Sequence, residues 1–450
     1  MKNKMNVSEN AGRKKLHQLF FPIFFEILFM MLTGIVDTLM ISTEGDQVVG
    51  AVGTANTYIG LFLIMFSVIS SGMVAVMTQY IGSNRPGVAR QTLKIGLIFN
   101  ATIGILVTFV LIFGAKPILS AVGIAHDLEE PAKIYLQTIG IFCICNALSP
   151  IVSSYLRSFG HTSPTLVATL VANVLNVVLN AFFLFVMHWG VLGVALATGI
   201  SKLVNLVWIV IAAKMLIKPE RDQNPPANKE IFGKIIKVGL PAAAETMLYN
   251  LAITLVISML NRMDDTGVQV TARAYALQIS NFSYCVSAAL ANANAILVGW
   301  HIGAGEHDQC VHNTRRAAMI GIGAGISSAG IFAIFSRPIV GLFTDDPDMI
   351  KLVGILLLVD IFLEIGRSTN LIYGFALKTS GDAVFPMIIA VVFMFLCAVG
   401  GTWIFGMKLG YLVVGAYIGM ALDECVRAIF MCGRWRSGRW KNLKLVTKND

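Results

Sequence analysis

The chain has 450 residues, of which 56% are hydrophobic and 13% charged. So small a charged share excludes a disordered chain, a soluble globular enzyme and a disulfide-rich secreted domain. The net charge of +9 comes from Lys and Arg in short loops and tails, not from a basic face interleaved with aromatics, so it does not point to a nucleic-acid partner.

A bilayer-spanning helix needs about 20 predominantly apolar residues. Twelve stretches meet that need, near 16–42, 51–81, 93–115, 133–157, 163–187, 190–213, 238–261, 270–301, 316–340, 350–377, 384–407 and 410–433. The first is too long for a signal sequence, has no small-residue cleavage site and holds Glu26 and Asp37, so it reads as a membrane helix. The longest polar connection contains Arg221-Asp222-Gln223-Asn224-Pro225-Pro226 and divides the spans six and six. The predicted organisation is an N-terminal tail (1–15), an N-lobe (16–217), a linker (218–237), a C-lobe (238–433) and a C-terminal tail (434–450). With the N-terminus inside, the inner segments carry 25 Lys and Arg and the outer loops 7. That bias places both termini in the cytoplasm, in a multi-pass protein of the inner (plasma) membrane. The seven cysteines lie mostly in apolar segments and read as reduced packing residues.

The halves resemble each other. Pro22-x-x-x-Glu26 opens the first span and Pro241-x-x-x-Glu245 the seventh; Ile81-Gly82 and Ile302-Gly303 close the second and eighth. Gly160 and Pro164 flank the 4–5 loop as Gly381 and Pro386 flank the 10–11 loop. An even number of spans per repeat gives both halves one orientation, the parallel repeat of transporters that alternate access around a site between lobes.

Ionisable groups inside a membrane are costly and mark function by default. Asp37 stands well inside the outer half of the first span, where a carboxylate suits a proton or a sodium ion; the alternative is a helix-end aspartate at the outer interface. Asn176 and Asn180 share a face of the fifth span, with Asn173 nearby, and suit either an ion shell or interhelical hydrogen bonds. Glu26 follows a proline and reads as a charge favoured by the helix dipole, whereas Glu245 reads as cavity-lining. Asp360, Glu364 and Arg367 share a face of the tenth span; Glu364 and Arg367 pair, and the cluster suits a cationic substrate or a proton. Asp423, Glu424 and Arg427 read as an inner-interface network, and His301, His307 and His312 as solvated loop residues. There is no GxxxxGK[ST] loop, so ATP is not the energy source.

Four stretches resemble the multidrug and toxic-compound extrusion family, and the resemblance runs from about Leu19 to Trp440. They are Pro22-x-x-x-Glu26 with Gly34-Ile35-Val36-Asp37-Thr38, Leu156 to Pro164 with Asn176-Val177-Val178-Leu179-Asn180, Gly190 to Thr198, and Phe362 to Asn370 with Gly381-Asp382. The resemblance implies cation-coupled export of organic cations by two six-helix lobes. It implies an ion or proton site at Asp37, Asn176, Asn180 and Thr198, where sodium would bind if sodium is the coupling ion. Many members carry an aspartate where Asn180 stands, so the second carboxylate is absent here. Glu245 matches an acidic position of the family's seventh helix, and Glu364 lies within about a turn of one on the tenth.

The expected protein is therefore an all-α membrane antiporter of twelve helices in two pseudo-symmetric bundles, not an enzyme, acting as a monomer. Its partners are small organic cations and the lipid bilayer, its coupling ion is H⁺ or Na⁺, and it needs no cofactor. Glu245, Asp360, Glu364 and Arg367 are its candidate substrate-cavity residues. The alternatives are a lipid-linked precursor flippase, which should show a strongly cationic cavity, and a membrane-embedded transferase, for which no paired His/Asp or Asp-rich motif is present.

Overall fold

The computed structural model describes residues 14–121, 126–220, 222–264 and 266–446, except for the side chains of residues 46, 47, 121, 126 and 127. Of the expected tails, residues 1–13 and 447–450 lie outside the described residues, as does Arg221 of the linker. The described residues contain no strand.

Among the described residues, twelve long helical elements follow one another: α1 (Leu16–Ser42), α2 (Asp46–Gly82), α3 (Pro86–Phe113), α4 (His126–Ile141 continued by Cys143–Ser158), α5 (Ser163–Ala181), α6 (Gly190–Leu216), α7 (Asn228–Met263), α8 (Val268–Ala304), α9 (His307–Ile334), α10 (Pro347–Ser380), α11 (Val384–Phe393, continued by π-helical Met394–Val399 and Thr402–Lys408) and α12 (Leu412–Arg436). Among the described residues, 9 helices are long and apolar enough to cross a membrane, and the two pieces of α4 taken together make a tenth. The other two, α10 and α12, are the carriers of the buried Asp360, Glu364, Asp423, Glu424 and Arg427. The fourth span, expected as one helix, bends by 48° between Ile141 and Cys143. There Phe142 donates its N–H to Ile139, tightening one turn, and its ring presses on Gly199 of α6, which has no side chain to obstruct it.

The chain forms two compact units, the first holding residues 21–239 and the second 15–20 and 240–450. The segment expected as a linker (218–237) is helical from Asn228 on, and the first turns of α7 belong to the first unit. Arg85 holds Asp222 through two hydrogen bonds of 3.0 and 3.1 Å, Gln91 donates to the Pro226 carbonyl, and Phe232 packs on Phe99.

The repeat read in the sequence is written into the backbone. Left-handed residues recur in both units: Gly45 with Gly267, Asn84 with Gly305, Gly160 with Gly381, His188 with Gly410, and Gly190 with Leu412. The π-helical turn that ends α5 (Phe182–Val186) recurs as Thr402–Lys408 in α11, and the short helix Ala115–Ala121 recurs as Ser336–Val340. Such turns need φ > 0, which glycine adopts without a Cβ penalty.

Lipid is as apolar as a leucine side chain, so close packing of small residues and interhelical hydrogen bonds hold such bundles together. In the first unit Gly104 lies against Ala147, and Asn100 donates to the carbonyls of Phe66 and Ala147. In the second, Gly321 and Gly325 of α9 meet Ser368 of α10, whose hydroxyl also pairs with Ser287 of α8 at 2.6 Å. Large apolar side chains such as Phe113, Ile98, Met215, Ile334 and Ile429 point outward, the pattern expected of a lipid-facing surface.

The C-terminal tail expected from 434 onward is packed rather than free as far as Val446. Trp440 is fully buried, stacks on Trp435 at 4.1 Å and donates its indole N–H to the Trp435 carbonyl. Arg434 pairs with Asp382 at 2.7 Å. All seven cysteines are unbridged.

Candidate functional site

In the first unit the predicted residues come together. Residues four apart share a helix face, so α5 presents Asn176 and Asn180 on one side and α6 presents Thr198 and Lys202 on one side. The Asn180 amide donates to Asp37 Oδ1 of α1 at 2.8 Å and to Asn176 Oδ1 at 3.3 Å. Asn176 in turn donates to Thr198 Oγ1 at 3.5 Å. Asn176 and Asn180 are buried, whereas Asp37 and Thr198 are half-buried. The outcome is one carboxylate at the end of a chain of amides and a hydroxyl, linking three helices.

One feature of this site escaped the sequence, and a second, Lys202, stood out there only as an ionisable residue within the sixth span. Tyr135 of α4 is buried beside it and donates to Asn56 at 3.3 Å. Lys202 is close enough for its charge to act on Asp37. The Oδ1 atom of Asn180 is buried and accepts no hydrogen bond from a described residue. A buried amide oxygen left unmatched beside a carboxylate is an acceptor in waiting, for a proton or a cation. Along α1, Thr33 and Thr38 return their hydroxyls to the carbonyls of Phe29 and Gly34, and Asn173 of α5 donates to Phe29. Such back-bonding weakens and bends helices.

Deeper along α1, Glu26 is not a dipole-stabilised helix end. It is 2% exposed; its Oε1 accepts from Arg157 of α4 at 2.6 Å and its Oε2 from Thr165 of α5 at 2.9 Å. The partner lay in the sequence as the one arginine of the Leu156–Pro164 stretch, but nothing local ties it to Glu26.

In the second unit the four predicted cavity residues do not converge on one point. Glu245 of α7 pairs with Lys378 of α10 at 2.8 Å. Asp360 accepts from Ser280 of α8 at 2.7 Å, and Glu364 pairs with Arg367 one turn on, as expected. Asp360 and Glu364 are fully buried, whereas Glu245 is partly open. The Asp423–Glu424–Arg427 group, expected as an inner-interface network, is a network buried among the helices of the second unit. Arg427 bonds Asp423 at 2.7 Å and Glu424 at 2.8 Å, and Asn370 of α10 donates to Glu424 at 2.9 Å. The three histidines are not alike either. His301 closes α8 and meets Glu306 at 2.7 Å and Asn313 at 3.1 Å, His307 packs edge-on against Trp440, and His312 alone is exposed. Among the described residues, no three His, Cys, Asp or Glu side chains come together as a metal centre.

Twelve bilayer-length helices in two repeated units, each with carboxylates held inside, define a polytopic membrane transporter. Comparison with known proteins makes this specific. The MatE family model matches twice, over residues 22–182 and 241–404, and its two matches open on Pro22 and Pro241, the landmarks of the internal repeat. The chain is 33% identical over 432 residues to "Uncharacterized transporter YisQ" of Bacillus subtilis, covering 94% of each. It is 23% identical over 459 residues to "Probable multidrug resistance protein NorM" of Thermotoga maritima, covering 97% of this chain and 95% of that one. A solved structure, "Outward-facing conformation of a multidrug resistance MATE family transporter of the MOP superfamily", shares the fold with a TM-score of 0.86 at 19% identity, over 98% of this chain and 100% of that one. The chain belongs to the MatE family of membrane transporters.

Proposed function

We propose that this transporter exports organic cations in exchange for one proton or sodium ion taken up at Asp37. The observation that carries the reading is the Asp37–Asn180–Asn176–Thr198 chain, with its unmatched Asn180 oxygen. An empty Asp37 accepts from Asn180. A proton on the carboxyl adds a donor, and a cation adds a ligand-seeking charge, for which the free amide oxygen is a partner, so α1 changes its hold on α5. A ligand shifts a conformational equilibrium only through such differential contacts.

Asn180 in place of a second carboxylate supports a single charge per cycle. A positive charge on Lys202 would oppose a proton and a sodium ion at Asp37 alike, so the two gradients imposed below decide between them. In the second unit the substrate-facing role rests on Glu245. The proposed cavity residues Asp360, Glu364 and Arg367 are more deeply committed, Asp360 to Ser280 and the other two to each other. The relatives named as multidrug resistance proteins support a small organic cation as cargo. The inner-membrane setting with both termini cytoplasmic follows from the charge bias, and one chain supplies both lobes as a monomer.

The test is efflux of ethidium from proteoliposomes under a proton gradient and, separately, a sodium gradient. Wild type should export under one of the two gradients and Asp37→Asn under neither. Export that survives in Asp37→Asn removes Asp37 from coupling. No cation export under either gradient overturns the reading and favours lipid-precursor flipping.

A further inference from the structure

The second unit holds a buried arginine that neither transport through Asp37 nor the carboxylate network employs. Arg367, Arg427 and Arg434 each hold a carboxylate. Arg273 of α8 is 8% exposed, yet among the described residues it pairs with no carboxylate, and its Nε donates no hydrogen bond. A buried charge without a counter-charge is expensive.

Helix register sets what stands beside it. The starts of α8 and α12 are tied together where Gln269 Oε1 accepts from the Val413 N–H at 3.2 Å. Residues four apart share a helix face, so one turn deeper Arg273 and Tyr417 stand at one level. The Arg273 charge acts on Tyr417, which is 3% exposed and whose hydroxyl has no hydrogen-bond partner among the described residues. Gln269 is 8% exposed and commits its oxygen to Val413, which leaves its amide N–H groups as donors. The neighbouring side chains Ala272, Ala276, Val413 and Ala416 are apolar and offer no acceptor. Asp360, whose charge also acts on Tyr417, is bonded to Ser280. A guanidinium, a phenol and an amide can all donate, and here they share a buried level with no acceptor among them. The guanidinium fork matches a carboxylate, and its permanent charge attracts any small anion.

We propose that Arg273, with Tyr417 and Gln269, forms a binding site for one small monovalent anion, a halide or the carboxylate of a small acid, between α8 and α12. The anion supplies the counter-charge of Arg273 and joins the two helices one turn below the Gln269–Val413 bond. The site lies in the second unit and the coupling residue Asp37 in the first, so each assignment can fail without the other.

Equilibrium binding of ³⁶Cl⁻ and, separately, of ¹⁴C-acetate to the purified full chain in detergent tests it, with ionic strength held constant by the bulky anion gluconate. At least one probe should bind saturably to the wild type, and which one binds distinguishes halide from carboxylate. Arg273→Gln should weaken that binding by about thirtyfold or more, and Arg273→Lys, which keeps the charge but not the fork, by less. Lys202→Gln, in the first unit, should leave it unchanged. If Arg273→Gln is not monodisperse, Tyr417→Phe removes one donor to the anion and should weaken binding by about tenfold. Absence of saturable binding of both probes, or affinity unchanged in both Arg273→Gln and Tyr417→Phe, overturns the proposal. So does loss of binding in Lys202→Gln, which would place the anion in the first unit.

Discussion

Removing Arg157 should cost this protein more than removing any exposed arginine. The Glu26 carboxylate is 2% exposed, with one oxygen on Arg157 at 2.6 Å and the other on Thr165 at 2.9 Å. Arg157→Ala strands a buried charge, a change worth about 3–5 kcal/mol. The Arg157 side chain keeps 23% of its surface, so water shares part of its work and a value near the lower end is expected. Thr165→Val removes one hydrogen bond to a charged group, about 1.5–3 kcal/mol, so it should rank below Arg157→Ala. Adding Glu26→Gln to Arg157→Ala takes away the stranded charge and should return much of the loss. Unfolding titrations in SDS–detergent mixed micelles measure all four proteins. A loss under about 1 kcal/mol for Arg157→Ala, the ordinary worth of a surface pair, would refute the reasoning. So would a double variant no more stable than the single one.

Two further outcomes follow from contacts elsewhere. The hydrogen bonds from Arg85 hold the Asp222 carboxyl below its usual range. A carboxyl depressed in the folded state adds stability that is complete above its unfolded value, about 4, and is lost as pH falls through the folded value. The difference in melting temperature between wild type and Arg85→Ala should therefore be constant from pH 5 to 8 and shrink below about pH 4; a difference that grows on acidification would contradict this. A methyl group on Gly366 of α10 would come 2.6 Å from the Cys425 nitrogen and the Glu424 carbonyl carbon of α12. Gly366→Ala should thus force two backbones apart and cost about 1–3 kcal/mol in the same micelle titration, whereas an unchanged midpoint would show that the helices part freely.

What the sequence disclosed, and what it withheld, divides along physical lines. A carboxylate such as Asp37 in an apolar run is conspicuous because it is costly, and Asn176 with Asn180 is readable because helical spacing puts both on one face. The repeat was readable from Pro22 and Pro241, and the structure extends it to positions no motif would single out, such as left-handed His188 and Leu412. Partnerships between distant helices were not readable. Glu26 with Arg157 and Glu245 with Lys378 lie more than 130 residues apart and depend on packing register. Asp423 and Glu424 read as an inner-interface network, and only the packing of α12 shows that both acids are buried in the protein. The bend at Phe142 was hidden for a similar reason, since its cause lies partly in Gly199 of another helix.

The central claim is that Asp37 couples an ion to transport and does not itself hold the cargo. Counterflow separates the two roles. Proteoliposomes loaded with unlabelled tetraphenylphosphonium are diluted into the labelled cation, with no ion gradient, and the same vesicles are then tested under an imposed proton gradient. The account predicts that Asp37→Asn exchanges label at close to the wild-type rate yet drives no uphill movement. An Asp37→Asn protein that loses exchange and uphill transport together, or keeps both, would contradict it.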